Sequence, residues 1–586
     1  MIRPRRARER APDGPPARYS PAMSRRRGSM AVFDLEPEEP AAGDPGAPLG
    51  EGAGPDIDDE RPSRTERTLA RLRRVPRRAW AITAGVVAAA VVATGAGVAA
   101  GTAFAERQRV ERLAAAPGGV VGVEAALDEA WTVDTDSSVL AVLPDGGVVV
   151  RDGADVLAVD VATGDERWRR TLGSMVDCGP TPVDPAEWTM PVDQVVCLSG
   201  EADDRTVTVL AADGAVVGER SLGDVTDLMV APAPDGMIVV VEPDGPVPEP
   251  RRFSSDEKAY RVLDEGRLDG PGATLRYEDA LTGGVHASVA APFDPEETDD
   301  CLTWMNERAE IDLAGGSLRS SPGVVELRRC GVRIIWAPPG DARGMDPELG
   351  TAADGWWQSA VRSVDGGIAV QRSGQRHLLA GLDDDPEGVL LSGLLLDPRS
   401  TDGTGGPRLV ATTTGLVALE PDDLAGEPRW EWSWDPEDLA IVTDPMELAW
   451  STQVLARTAD VVLVQLFGGG LVGLDAETGQ ERWSVDEPVE GWVDELWPFG
   501  AVTDGHEVLL LLSGAEDSYT LARLDLDDGR VVAQESRDGV PGWYPGTVDG
   551  HLVVHTSDGT STTVTDEGGH VVHEDPGAAL HGSAAG

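Results

Sequence analysis

Lysine is almost missing from this sequence: of 49 basic residues, Lys258 alone is not an arginine. Cysteine is held to four residues, and phenylalanine and tyrosine to six and five, while tryptophan reaches 16. No C-x-x-C or C-x-x-C-H spacing occurs, which leaves zinc ribbons, dithiol redox motifs and c-type haem attachment unsupported. A G-x-S-x-G elbow, an H-E-x-x-H pair and a Walker loop are lacking too. Helical periodicity is nearly absent after residue 130, which excludes a helical solenoid. Positive charge is scarce, with a net charge of −53 over 586 residues. Residues 1–105 carry 17 basic and 13 acidic side chains, so the remainder stands at −57. Such a surface repels phosphate backbones and anionic lipid, so no nucleic-acid partner is expected; its plain reading is a solvated face.

One segment carries no charge at all. Residues 79–105, AWAITAGVVAAAVVATGAGVAAGTAFA, are long enough as a helix to cross the roughly 30 Å hydrocarbon layer. Eight arginines fall in residues 61–78 before it, against Arg107, Arg109 and Arg112 after it. The positive-inside bias then predicts a single-pass plasma-membrane protein with a cytoplasmic N-terminus and the acidic region outside. Ala103-Phe104-Ala105 leaves a cleaved signal as the alternative, although the apolar run is longer than a signal core and follows a 78-residue leader. The Pro-, Gly- and charge-rich start cannot offset chain entropy by burial, so 1–78 is expected as a disordered cytoplasmic region with a basic juxtamembrane stretch. Met23 and Met30 are further plausible initiators. Residues 106–125 read as a short linker and 578–586 as a disordered tail.

Cys178, Cys197, Cys301 and Cys330 all follow the apolar run. An even number in a region placed outside suits two disulfides. Three pairings are possible, with free thiols as the alternative; Cys178–Cys197 and Cys301–Cys330 are favoured because each pair brackets a compact stretch.

What the sequence does contain is a repeated hairpin. LAVDVATGDERW at 157–168 and LVGLDAETGQERW at 471–483 align Asp160 with Asp475, Thr163 with Thr478, Gly164 with Gly479 and Trp168 with Trp483. Related turns mark Gly214, Gly283, Gly388, Gly426, Gly529 and Gly569, with spacings of 50, 53 and 50 residues recurring. The short step from Gly388 to Gly426 warns that one marker is false. Glycine supplies the positive φ of a tight turn, and Asp or Thr oxygens bond the free N–H groups. A Trp four residues later has the reach to pack on a neighbouring sheet. About eight such units across residues 120–575 require stacked four-stranded sheets in radial array. AWTVD at 130–134 mirrors RWSVD at 482–486 and suits a strand that completes the last sheet, a place for which HVVHE at 570–574 competes.

The pattern L-x-x-L-D-x-x-T-G-x-x-x-W of Leu471 to Trp483 resembles the repeat of quinoprotein-type (PQQ-like) β-propellers. The resemblance covers roughly residues 130–575, with about three sharp copies, and implies an all-β fold, a seven- or eight-bladed propeller with eight favoured, over 126–577. The family includes PQQ-dependent alcohol dehydrogenases and the non-enzymatic propeller lipoprotein of the outer-membrane assembly machinery. It implies that Trp168, Trp430 and Trp483 dock on the next blade; the copies at Gly214, Gly283, Gly529 and Gly569 lack the Trp.

In the enzymatic branch a vicinal Cys-Cys disulfide covers PQQ, over a Trp floor and acidic or Asn ligands for Ca²⁺; this chain has no adjacent cysteines. No cofactor is therefore expected, PQQ included, and no catalytic or metal residue is assigned. Weak Ca²⁺ binding by acidic loops stays open: DDDPEG at 383–388 starts like a calcium loop but has Leu394 at its twelfth position. His551 and His555, with His570 and His573 nearby, read as exposed strand histidines rather than ligands. The expectation is a non-catalytic binding or scaffolding module at the cell envelope with a protein or glycan ligand; a quinoprotein-type oxidoreductase or other loop-built enzyme on the same propeller is the alternative. A binding face falls on the irregular insertions 243–272 and 290–355, which hold RRFSSDEKAY and the Trp356-Trp357 pair.

Overall fold

In a computed structural model of the chain, the described residues are 101–583 except 127–128, 265–267, 296–300, 306–307, 322–323, 337–356, 363–366, 373–375, 381–388, 392, 435–447, 449–450, 468, 487–496, 514–517, 539, 542–545 and 566–570. The chain divides into two compact units, 1–91 and 92–586, and every described residue belongs to the second.

Valine-, leucine- and alanine-rich runs of five to eight residues, cut by Gly and Asp turns, form antiparallel strands that pair in sequence order. Nine successive sheets result among the described residues. The first spans 141–171, the second 177–223, the third 229–291, the fourth 316–336 and the fifth 357–391. The sixth spans 394–433 apart from strand Ser400–Thr401, which pairs parallel with Gln453–Arg457 of the seventh, at 453–485; the eighth spans 497–538, and the ninth holds strands from 540–583. A tenth, small sheet joins Arg251–Arg252, Arg308–Ile311 and Leu302–Met305 beside the third. The turn markers had counted eight units. The uncounted one is the 316–336 sheet, which has no Thr-Gly or Asp-Gly marker in its described strands.

Inner strands of these sheets are apolar on both faces because each sheet is covered by a neighbour. Val148, Val149 and Val150 are all fully buried, as are Leu509, Leu510, Leu511 and Leu512. The apolar clusters are shared between successive sheets: Val149 of the first packs with Val195 of the second, and Leu463 of the seventh with Leu510 of the eighth. Val553 of the ninth shares a cluster with Val148 and Leu157 of the first, so the series returns to its start. Outer strands alternate instead, as in Val216–Gly223, where Gly218, Arg220 and Leu222 are half-buried and Val217, Glu219 and Ser221 are exposed.

The ninth sheet joins both ends of the described chain. Glu129–Thr135 pairs antiparallel with Val571–Ser583, which in turn pairs with His551–Thr565. AWTVD and the C-terminal strand are thus neighbours rather than competitors. Residues 578–583, expected in a disordered tail, are strand, paired with 129–135 and 553–557. The 106–125 stretch is also more than a linker: residues 101–114 are helical and the residues after them pack on the sheets. The 1–78 region and residues 79–100 of the apolar run lie outside the described residues. Among the described residues no helix is long and apolar enough to cross a membrane.

Candidate functional site

The marked turns at Gly164, Gly283 and Gly479 are built the same way. Asp475 Oδ1 accepts the N–H groups of Glu477 and Thr478 at 3.1 and 2.9 Å and the Thr478 hydroxyl at 2.9 Å, while Gly479 N–H closes on Asp475 O at 2.8 Å. Gly479 sits at φ 69°, where a side chain is strained. Asp160 and Asp279 hold their turns in the same manner. The second oxygen of Asp475 takes both Nε and Nη2 of Arg482 at 3.2 and 2.7 Å, and Asp160 takes Arg167 at 3.1 and 2.6 Å. These bonds hold the Asp475 carboxyl down at about pKa 2, Arg482 being the largest cause, and lower Asp160 for the same reason. The arginine was missed in the sequence, although the common seven-residue Asp-to-Arg spacing was there to be read.

The tryptophans after these turns reach the next sheet. Trp168 Nε1 donates to Ala212 O at 2.8 Å, Trp430 to Ala476 O at 3.1 Å and Trp483 to Leu526 O at 2.9 Å. Their rings lie over Gly214, Gly479 and Gly529, where an added Cβ would collide with the indole. Trp131 of the ninth sheet does the same to the first, donating to Val161 O at 2.9 Å with its ring over Gly164. Between the second and third sheets Gly218 stands where the Trp would be. Leu281 packs against it, and Arg220 lies over Gly283. Gly426 departs from the pattern: its φ is not in the left-handed range, and its turn is widened by the Glu420–Asp423 bridge. Gly388 and Gly569 lie outside the described residues.

The first strands of several sheets converge on one loop of the second, residues 180–192. Val192 N–H donates to Val142 O of the first sheet at 2.8 Å, and Trp188 lies on Gly546 of the ninth. Arg319 of the fourth sheet pairs with Asp184 at 3.1 Å and with Glu187 at 3.3 Å. Glu187 is only 1% exposed and also accepts the Val183 N–H at 2.7 Å. Burial lowers the Arg319 pKa, but Glu187 and Asp184 outweigh it and raise it. The loop therefore fills the place where these strands meet.

Both disulfides are present. Cys178–Cys197 joins directly opposed residues of adjacent strands in the second sheet. Cys301–Cys330 ties the small sheet to the fourth. The small sheet draws strand Arg251–Arg252, with helix Asp256–Asp264, from the 244–272 excursion of the third sheet and its other two strands from the connection to the fourth, around a buried cluster of Ala259, Leu263, Ile311, Cys301 and Cys330. RRFSSDEKAY supplies one of its strands and the first half of that helix, with Tyr260 half exposed. Trp357 starts a strand of the fifth sheet, while Trp356 and the 383–388 loop lie outside the described residues. His551, expected on the surface, is buried and His555 half-buried, because Val553, on the same face of their strand, packs against the first sheet. Among the described residues no group of three or more His, Cys, Asp or Glu side chains has the arrangement of a metal site.

No family model and no curated protein matches the chain. Solved structures similar to it include BamB from Moraxella catarrhalis, 12% identical over 78% of this chain and 97% of that one, with a TM-score of 0.31. The quinohemoprotein alcohol dehydrogenase ADHIIG from Pseudomonas putida HK5 is 12% identical over 80% and 77%, with a TM-score of 0.33. The C-terminal WD40 domain of Sif2 is 9% identical over 78% and 98%, at 0.31. At these values the likenesses bear on neither activity nor partner.

Proposed function

We propose that the sheets are the blades of a β-propeller held outside the cell by the 79–105 apolar segment, and that it binds a protein or glycan at the envelope without catalysis. The observation that carries this reading is the insertion on the third sheet. A helix and three short strands, clamped by Cys301–Cys330, add a separate surface that the sheet packing does not need. The repeat's recognisable side chains are meanwhile engaged between sheets, and residues 180–192 fill the point where the first strands meet. All four cysteines are held in two bonds between distant positions, so the adjacent pair that covers PQQ in the enzymes has no counterpart, and that donor set does not fit. Oxidised cysteines and an acidic surface support the outside location.

Crosslinking of the full chain in its native membrane, followed by mass spectrometry, tests the reading. The expected adducts cluster on residues 244–272 and 301–313. Saturable alcohol-dependent dye reduction on adding PQQ and Ca²⁺ would overturn it. A reporter fused after residue 586 is expected to be active only outside the cytoplasm.

A further inference from the structure

The last turns of the 101–114 helix and the segment after it make bonds to four sheets. Arg112 Nε donates to Asp402 O at 2.9 Å, and Arg109 Nη1 to Asp504 O at 3.2 Å. Thr401 N–H of the seventh sheet donates to Pro117 O at 2.8 Å, and Thr503 N–H of the eighth to Gly118 O at 2.9 Å. Val120 N–H returns a bond to Thr503 O at 2.9 Å, and Val121 N–H reaches Gly550 O of the ninth at 3.2 Å. Leu113, Ala116, Val120 and Val123 are buried against the sheets. Gly118 has φ 64°, and a Cβ on it would fall 2.5 Å from that of Ser400, so the crossing is made at van der Waals limits. The same chain then becomes strand Glu129–Thr135 of the ninth sheet and places Trp131 on the first.

These contacts all fall at one end of the sheets. Leu526 N–H donates to His506 O at 3.0 Å and Val161 N–H to Gly146 O at 3.1 Å, which sets the first turn of a sheet beside its marked turn. Asp504 and Gly550 belong to such first turns. In the third sheet Ala280 N–H bonds Gly236 O at 2.9 Å, so Pro243, at the far end of strand Met237–Pro243, lies at the opposite end. The insertion starts there.

We infer that residues 109–135 are a clamp. They hold the seventh, eighth and ninth sheets to the first, and they fix the chain that precedes them to the end of the sheets opposite the insertion. The described sheets and residues 109–123 are thereby one stiff body, with no flexible joint at 109–123. The clamp does not rest on the membrane reading.

Two measurements on the full-length chain in detergent micelles test it. Trypsin is expected to cut after Arg107, while the bonds after Arg109 and Arg112 resist for as long as the sheets do. Hydrogen exchange is expected to be as slow at Val120, Val121, Thr401 and Thr503 as in mid-strand amides of the eighth sheet. Gly118→Val should speed these four amides about 30-fold, the effect of two lost backbone bonds, and expose Arg112 to trypsin. Should that variant misfold, Arg112→Gln removes one outer bond and should speed Thr401 about 5-fold with the second sheet unchanged. Cleavage after Arg112 as fast as after Arg107, or free-peptide exchange at Val120, would overturn the clamp. Release of the chain from membranes by carbonate would instead defeat the anchor reading and leave these results standing.

Discussion

Trp131 lies on Gly164, thirty-three positions away, in the relation that Trp483 bears to Gly529. One pair joins the last sheet to the first and the other joins the seventh to the eighth, so closure uses the ordinary fastener. The indole N–H meets a carbonyl one residue past the turn's Asp in both, at 2.9 Å. A flat ring needs a flat partner, and only a glycine without a side chain offers one here.

Trp430→Ala should therefore cost about 3–5 kcal/mol, since its ring is 6% exposed and leaves a cavity together with an unpaired Ala476 carbonyl. Trp483→Ala, on a half-buried ring, should cost about 2–3 kcal/mol. Urea melts of both variants measure this. A midpoint unchanged from wild type in either would show that the ring does not fasten the sheets.

The turns make stability depend on acid. Asp475 has its pKa held near 2 by Arg482, Thr478 and the turn N–H groups, below its value of 3.8 when free. A carboxyl lowered in the folded chain adds stability that is complete above the unfolded value and is lost as pH falls through the folded one. The window is thus about pH 4 down to 2. Solvent around this exposed turn reduces the contribution to about 1 kcal/mol. Asp475→Asn should be less stable than wild type by that amount at pH 7, and equal to it below pH 2, in paired denaturant titrations.

Peptide mapping without reductant should return Cys178 linked to Cys197 and Cys301 linked to Cys330. The second bond spans 29 positions, so its removal by Cys301→Ser with Cys330→Ser should cost about 3 kcal/mol in the chain-entropy account. The loss is expected to open the small sheet first, read as faster exchange at Leu302–Met305 and Arg308–Ile311. A Cys197–Cys301 peptide would refute the pairing.

The hairpins were legible because their chemistry is local. Asp475, Thr478 and Gly479 bond within five residues, so the pattern survives in the sequence. Arg482 was equally local and was overlooked beside the Trp. The 316–336 sheet was hidden because residues 337–344, APPGDARG, which follow its third strand and lie outside the described residues, hold no Thr-Gly or Asp-Gly pair. The C-terminal strand looked like a tail because Gly577, Ala578 and Ala579 carry no pattern of their own; its partner lies more than 440 residues away in the sequence. The meeting of Glu187 with Arg319 likewise leaves no trace in spacing, since it depends on how three sheets stack.

That meeting gives the last test. Glu187 is 1% exposed and takes its charge compensation from Arg319, helped by the N–H groups of Val183 and Asp184. Removing the cation leaves a carboxylate buried among apolar strands, which costs far more than losing a surface pair. Arg319→Ala is expected to lower stability by about 3–5 kcal/mol at pH 7. Glu187→Gln should cost less, because an amide oxygen still accepts the two backbone N–H groups and Arg319 retains Asp184 at 3.1 Å. Combining Glu187→Gln with Arg319→Met should recover part of the loss, since the most buried carboxylate is then neutral and the methionine fills the arginine stem's space, while Asp184, which also loses Arg319, is partly exposed. Denaturant melts of the three variants give the coupling. If Arg319→Ala melts like wild type, water reaches Glu187 and the loop at 180–192 does not seal the point where the strands converge.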